Sequence, residues 1–175
     1  MPKTNIDAYS EAAELLSRLK ITTAPTPVEK IAKELGVQIR FAPFDEEISG
    51  MIHVKDGTIV IGVNALHHPN RQRFTIAHEL GHLLLHKEKI TSHVHVDKGF
   101  PAALMRDTRS TTGTDTVEVQ ANQFASELLV PQALLDKELA GRAAIDMEDE
   151  KPLEELAKKF KVSKQAIQYK ILSRA

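Results

Sequence analysis

The chain contains no cysteine among its 175 residues. A disulfide framework is therefore excluded, and so are metal sites that depend on thiolate ligands. The absence of cysteine also agrees with a reducing compartment, where disulfides rarely persist. Any metal site in this chain must use nitrogen and oxygen ligands.

The sequence also lacks long apolar runs and a strong charge of one sign. No segment approaches the roughly 18 apolar residues that a membrane-spanning helix needs. The start, MPKTNIDAYSEAAELL, lacks the basic-then-apolar pattern of a signal peptide. The formal net charge of −1 gives no overall attraction to nucleic acid or to a membrane surface. We therefore expect a cytoplasmic protein with no membrane partner.

What the chain does contain is the composition of a globular protein, with 42% hydrophobic and 27% charged residues. Its length suits one domain of ordinary size with a small appendage. We expect a main domain over residues 1–145 and a helical hairpin over residues 146–175. The hairpin is expected to pack on the main domain rather than to fold independently.

Turn signals and apolar periodicity predict the elements of the main domain. Two helices, a strand and a hairpin are predicted before residue 65, over residues 5–20, 26–36, 37–43 and 49–64 in that order. The hairpin is centred on Asp56-Gly57, a dipeptide typical of tight turns. Residues 91–96 suggest an edge strand. Residues 97–116 are rich in Gly, Thr, Ser and Asp, and they predict a long mobile loop that is a candidate lid.

The most informative stretch is TIAHELGHLLLH, residues 75–86, in a predicted helix that begins at Pro69. His78 and His82 are four residues apart, so one helix face presents both imidazoles, about 6 Å apart along the axis. Both rings can then bind one metal ion at roughly 2.1 Å, the length of a zinc–nitrogen bond. Glu79 lies about 100° around the helix, where it can act as the general base on an attacking water. Because unpaired polar groups are costly in a buried helix, we favour this interpretation over a structural histidine pair.

A catalytic zinc site needs a third protein ligand and one open position. The best candidate is Glu118, at the head of a second apolar helix over residues 117–130, with Asn122 one turn further on to orient a ligating histidine. Glu127, deeper in the same helix, is the alternative ligand. The group that stabilises the oxyanion is left open. The candidates are an arginine, two tyrosines and the histidines without ligand spacing, namely Tyr9, Tyr169, His53, His67, His68, His93 and His95.

These motifs resemble those of the ImmA/IrrE family of small bacterial metallopeptidases. The similarity is carried by RFTIAHELGHLLLH (73–86) and RDTRSTTGTDTVEVQANQFASELLVP (106–131), and it covers most of residues 26–135. The family is similar to gluzincin-type zinc peptidases, in which the two H-E-x-x-H histidines and a glutamate bind the metal.

Carried over to this sequence, the resemblance implies His78, His82 and Glu118 as metal ligands and Glu79 as general base. Three nitrogen and oxygen ligands of this type fit Zn²⁺ best, with Mn²⁺ or Fe²⁺ as alternatives. Together with the predicted elements, the resemblance leads us to expect an α+β fold: a zincin-like core with a small antiparallel sheet beside the H-E-x-x-H helix. The substrate implied is a protein, namely a helix-turn-helix transcriptional repressor. Its cleavage would relieve repression in a stress, DNA-damage or mobile-element (prophage) response.

The end of the chain supports a competing interpretation. Residues 151–175 carry seven Lys or Arg residues against two Glu, and their pattern is typical of a helix-turn-helix hairpin. This hairpin could contact DNA, and the protein would then be a non-proteolytic DNA-binding or repressor-docking regulator with a metal site. We favour the simpler interpretation, in which the hairpin packs on the core and its lysines are solvated, because the third helix of such a module is missing.

Overall fold

The computed structural model of the chain describes residues 7–90, 94–98, 113–142 and 149–173. This part of the chain forms eight helices and four strands. The first half holds α1 (Ala8–Arg18), α2 (Val28–Glu34), β1 (Val37–Ala42), β2 (Ile48–Lys55), β3 (Thr58–Asn64) and α3 (Pro69–Leu85). The second half holds α4 (Lys87–Ile90), β4 (His95–Lys98), α5 (Gly113–Leu129), α6 (Gln132–Ala140), α7 (Glu150–Phe160) and α8 (Lys164–Leu172). The expected α+β class is confirmed.

The four strands form one sheet in the order β1-β3-β2-β4. β2 and β3 make the predicted hairpin, which turns at Asp56 and Gly57 with φ angles of 50° and 77°. The sheet differs in one detail from the antiparallel sheet that we expected, because β1 runs parallel to β3. The chain reverses once after β1 and again after β2. β3, and not β2, lies beside β1, so β1 and β3 run in the same direction.

One face of the sheet packs against α3, and this packing places β2 close to that helix. Ile52 of β2 and Ile61 of β3 are fully buried. A Cβ added to Gly50 of β2 would lie only 2.4 Å from Cγ2 of Thr75 on α3. The missing side chain at position 50 therefore allows β2 to lie directly beside the helix that carries the histidines.

A second glycine determines how closely α5 approaches α3. A Cβ on Gly81 would lie 3.1 Å from both Cα and the carbonyl oxygen of Ala121, and 3.3 Å from Cβ of Phe124. The missing side chain at position 81 therefore admits the backbone of α5. Because Ala121 lies between Glu118 and Asn122, the close approach brings both of those side chains next to α3.

The C-terminal residues form the helix-turn-helix-like hairpin that the sequence indicated. Between α7 and α8 the backbone turns at Lys161, which has a φ of 53°, and the hydroxyl of Ser163 then accepts a hydrogen bond from the Ala166 N–H at 3.1 Å. The buried side chains of the hairpin belong to the same hydrophobic cluster as those of α3 and α5; they include Leu153, Leu156, Phe160 and Ile167. The division of the chain at residues 145 and 146 remains a prediction, since that point lies outside the described residues.

Two further predictions concern segments that are only partly described. Of the predicted loop over residues 97–116, residues 97 and 98 belong to β4 and residues 113–116 to α5, while the rest lies outside the described part of the chain. The edge strand expected over residues 91–96 is described from residue 94 onward. None of the helices in the described ranges is both long and apolar enough to cross a membrane.

Candidate metal centre

Helix α3 carries the H-E-x-x-H motif through the core. Every residue from Phe74 to Leu83 is buried. The side chains of His78, Glu79 and His82 are only 3%, 0% and 1% exposed. Polar groups in such a position cost several kcal/mol unless they are hydrogen-bonded, paired or bound to a metal. Their surroundings must therefore supply partners.

Helix α5 brings Glu118 to the two histidines. Oε2 of Glu118 lies 3.3 Å from Nε2 of His78, and Oε1 lies 3.3 Å from Nε2 of His82. The two histidine Nε2 atoms are 3.0 Å apart. Among the described residues, these three side chains form a group whose ligand atoms all lie within 4.8 Å of one another. The three residues that the sequence proposed as ligands thus come together at one point.

The separations within this group fit a single zinc ion. Two atoms bound tetrahedrally to one zinc at about 2.0–2.1 Å are roughly 3.3–3.4 Å apart. The two histidine–glutamate separations of 3.3 Å match this value, and the histidine–histidine separation of 3.0 Å is slightly shorter. The chemistry of the donors agrees as well, because two imidazoles and one carboxylate are common ligands of catalytic zinc. The group is therefore a candidate metal site.

Asn122 fixes which nitrogen of His78 faces the site. Its Oδ1 lies 2.9 Å from Nδ1 of His78, and both residues are buried. With the amide oxygen toward the ring, Nδ1 carries the proton and donates it. Nε2 then presents a lone pair to the centre of the group, as a metal ligand must. The structure thus pairs Asn122 with one of the two histidines that are proposed as ligands.

Glu79 lies beside the ligand group but outside it. Its side chain has no exposure, and in the described part of the chain neither of its carboxylate oxygens accepts a hydrogen bond. Nδ1 of His95 lies 3.5 Å from Glu79 Oε2. From this position beside the ligand group, a carboxylate can reach a water or substrate that enters the site.

His95 is the residue of this centre that sequence reasoning did not single out. It lies on β4, its ring centroid is 4.1 Å from that of His82, and its Nε2 is 3.1 Å from Glu118 Oε1. The sequence offered it only as one of several candidates for stabilising an oxyanion. The available signal was weak: it was the alternation of valine and histidine in a strand that follows the H-E-x-x-H helix.

The charges of the centre act on one another. Burial raises the pKa of Glu118, but the neighbouring imidazoles of His78, His82 and His95 lower it by a larger amount, so its net pKa lies well below the usual range. Burial lowers the pKa of His95, yet its contacts with Glu118 and Glu79 raise it to about 10. Burial also holds the pKa of His82 below its ordinary value. A charged carboxylate beside an uncharged His82 is the protonation state that metal binding requires.

The alternative ligand and most of the other candidates lie elsewhere. Glu127 pairs through Oε2 with the buried Lys170, and its Oε1 accepts the Gln132 N–H at 3.0 Å. Tyr9 belongs to that second cluster, because the Lys170 ammonium lies 4.9 Å from its ring centroid. Of the histidines, His53 is exposed on β2, whereas His93 lies outside the described residues.

Comparisons with known proteins agree with this fold. A family model described as the IrrE N-terminal-like domain, Peptidase_M78, matches residues 32–172. The structure of a Mycobacterium tuberculosis transcriptional regulator is similar, with a TM-score of 0.57 and 16% sequence identity over 94% of this chain and 46% of that one. The chain thus spans less than half the length of that regulator, and the likeness shows the fold alone. A comparison with curated protein sequences finds no match.

Proposed function

Because this chain belongs to the Peptidase_M78 family of IrrE N-terminal-like domains, we propose that it is a zinc-dependent endopeptidase that cleaves a protein substrate. One observation carries the proposal. Three ligand atoms of His78, His82 and Glu118 converge within 4.8 Å, beside the buried carboxylate of Glu79. A purely structural zinc site is normally closed by four protein ligands and has no use for such a carboxylate.

In this proposal each residue has a separate task. His78, His82 and Glu118 hold the ion, and Asn122 keeps His78 in the tautomer that can bind it. A bound divalent ion would act as a Lewis acid, activating water and polarising the scissile carbonyl. Zinc fits this site best among the candidate metals, because a site of two imidazoles and one carboxylate binds Zn²⁺ more tightly than Mn²⁺ or Fe²⁺.

Glu79 performs the proton transfers. One of its oxygens accepts the proton of the attacking water as the new carbon–oxygen bond forms. The same oxygen then gives that proton to the amide nitrogen as the carbon–nitrogen bond breaks. The site excludes bulk water on most sides, since His78, Glu79 and His82 are at most 3% exposed. Substrate therefore enters past Glu118 and His95, whose side chains are 32% and 25% exposed.

We further propose that the substrate is a helix-turn-helix transcriptional repressor, and that its cleavage relieves repression in a stress or mobile-element response in the cytoplasm. The family resemblance supports this choice. The similar structure is that of a protein named as a transcriptional regulator, and this agrees with a regulatory role.

The hairpin gives less support to a DNA-binding function. Lys159 pairs with Glu138 at 2.6 Å and Lys164 pairs with Glu150 at 3.1 Å. Lys170 is buried against Glu127. Three of the basic side chains that suggested DNA contact are thus engaged within the protein. The regulator without proteolysis remains the second candidate, and one variant separates the two functions.

The test is the variant Glu79→Gln, which keeps the shape of the side chain but cannot accept the proton. Wild type and variant are each co-expressed with a helix-turn-helix repressor encoded beside the chain's own gene, and fragments are identified by mass spectrometry. Loss of a general base should lower the cleavage rate by about 10²–10⁴-fold, while metal content stays unchanged. Glu14→Gln, at an exposed position of α1, is the matched control. Relief of repression by Glu79→Gln at the wild-type level would contradict the peptidase function and favour the non-proteolytic regulator.

A further inference from the structure

The ring of His95 lies at the metal centre but is not one of the proposed ligands. Among the described residues, the group of mutually close ligand atoms consists of His78, His82 and Glu118. The His95 ring packs against His82, with 4.1 Å between centroids and 42° between planes. Its side chain is 25% exposed, on the side of the site where the proposed function has substrate enter. Its function therefore has to be argued from its own contacts.

The two nitrogens of His95 face two different carboxylates. Nε2 lies 3.1 Å from Glu118 Oε1, within hydrogen-bond distance. Nδ1 lies 3.5 Å from Glu79 Oε2 and, in the described part of the chain, makes no hydrogen bond. The ring therefore spans the gap between the proposed ligand and the proposed base, but its only hydrogen bond in the described part of the chain is with the ligand.

This hydrogen bond makes the two oxygens of Glu118 unequal. Both oxygens face a proposed histidine ligand at 3.3 Å, Oε1 facing Nε2 of His82 and Oε2 facing Nε2 of His78, but Oε1 is in addition engaged by His95 at 3.1 Å. A carboxylate oxygen that accepts a hydrogen bond has less electron density to give to a metal, so the ion is directed to the other oxygen. A carboxylate with both oxygens free often binds an ion through both. It would then occupy the position that a catalytic site keeps open.

We infer that His95 is a positioning residue, which donates its Nε2 proton to Oε1 of Glu118 and so restricts that carboxylate to binding the metal through Oε2 alone. The coordination position beside Glu79 is thereby kept open. The inference rests on the metal centre of the proposed function. It gives Glu118 an orienting partner equivalent to the one that Asn122 gives to His78, and such partners are a general feature of metal sites.

The position of His95 depends on strand pairing rather than on the helices. β4 is antiparallel to β2, with His95 opposite Ile52 and Val96 opposite Met51. Because β2 packs directly on α3 through Gly50, this pairing places the His95 ring over the motif helix. The orienting group of Glu118 thus comes from the sheet, whereas Glu118 itself comes from α5.

The test compares two replacements of His95 in the full chain, with the metal alone as the probe. His95→Gln places an amide N–H near the position of Nε2, whereas His95→Leu has a similar volume and no donor. We measure Zn²⁺ affinity by competition with a chromophoric chelator, and the visible absorption spectrum of the Co²⁺ form, which reports coordination number. His53→Leu, at an exposed position of the neighbouring strand β2, is the matched control.

We expect His95→Leu to weaken Zn²⁺ binding about 10–100-fold, the usual effect of losing an orienting partner. Its Co²⁺ spectrum should shift toward the weaker absorption of a higher coordination number, because Glu118 then binds through both oxygens. His95→Gln and His53→Leu should keep the affinity and the spectrum of the wild type. A general structural defect would lower occupancy without changing the shape of the spectrum.

Two results would overturn the inference. One is wild-type affinity and an unchanged spectrum in His95→Leu. The other is an equal loss of Zn²⁺ affinity in His95→Gln and His95→Leu, since a hydrogen-bond donor near Oε1 would then have no effect on metal binding. If circular dichroism shows that His95→Leu does not fold, His95→Asn replaces it, because its shorter amide does not reach Oε1. A wild-type protein that binds no metal would instead contradict the proposed function, so the two failures are distinguishable.

Discussion

Replacing Gly81 by alanine should disturb the metal centre by displacing α5, without changing any side chain of the centre. The added Cβ would lie 3.1 Å from both Cα and the carbonyl oxygen of Ala121. An ordinary carbon contact is about 3.5–4.0 Å. Helix α5 must therefore move away from α3 by several tenths of an ångström, and it carries Glu118 and Asn122 with it.

The effect on stability is the difference between two terms. Overpacking of this kind costs about 1–3 kcal/mol, while replacing glycine by alanine inside a helix contributes about 1 kcal/mol in the opposite direction. We expect Gly81→Ala to lose about 0–2 kcal/mol of unfolding free energy. The metal site is more sensitive, because its ligand separations are fixed to a few tenths of an ångström. Zn²⁺ affinity should fall on the order of tenfold, as it does when supporting residues are altered.

The assay is urea denaturation of the metal-free protein together with a chelator-competition titration with Zn²⁺. Gly141→Ala is the matched control, since Gly141 ends α6 with a φ of −93° and has no heavy atom within 4 Å of an added Cβ. The control should change the unfolding free energy by less than about 0.5 kcal/mol and leave the affinity unchanged. If Gly81→Ala behaves like the control in both measurements, α5 is not held against α3 as we argue.

Three further predictions follow from other contacts. Asn122→Ala should weaken Zn²⁺ binding about 10–100-fold, whereas Asn122→Asp should keep the wild-type Zn²⁺ affinity, because its carboxylate still accepts a hydrogen bond from His78 Nδ1. The chelator-competition titration described above measures both variants. Glu127→Ala leaves the buried Lys170 unpaired and should cost about 3–5 kcal/mol in urea denaturation, and adding Lys170→Met should recover part of the loss. Burial and the nearby His82 lower the pKa of His86 from 6.5 to about 4. Between pH 6.5 and pH 4 the unfolded chain therefore binds a proton at His86 that the folded chain does not bind. Acidification through this pH range destabilises the folded state for that reason. His86→Gln should reduce the stability that the metal-free protein loses between pH 6.5 and pH 4; an equal loss in both proteins would contradict the assignment.

The parts of the site that lie on helices could be predicted because helical spacing is local. His78 and His82 share a face through the four-residue interval, and Glu118 and Asn122 share one on α5 for the same reason. The structure brings His78, His82 and Glu118 together and sets Asn122 against His78. The turn at Asp56 and Gly57 was predictable too, because positive φ angles favour those residue types.

The parts that depend on strand pairing could not be predicted. His95 reaches Glu118 only because β4 pairs with β2 in one particular register, and no local pattern encodes that register. The same reason explains the direction of β1. Its apolar pattern predicts a strand, but the parallel pairing with β3 follows from which strand of the hairpin lies beside it.

The start of α5 shows a different limit. Its first residues, from Gly113, are of types that favour turns, and the sequence therefore placed the helix start at residue 117. Residues such as threonine and aspartate are also common in the first turn of a helix. Composition alone does not distinguish a loop from a helix start.

The central claim is that His78, His82 and Glu118 hold a catalytic metal ion beside Glu79. The most direct test is the metal content of the purified protein, measured by mass spectrometry for the wild type, His78→Ala and Glu79→Gln after zinc has been supplied. Our account predicts about one equivalent of zinc in the wild type and in Glu79→Gln, and its loss in His78→Ala. Absence of zinc from the wild type, or its full retention in His78→Ala, would contradict the account.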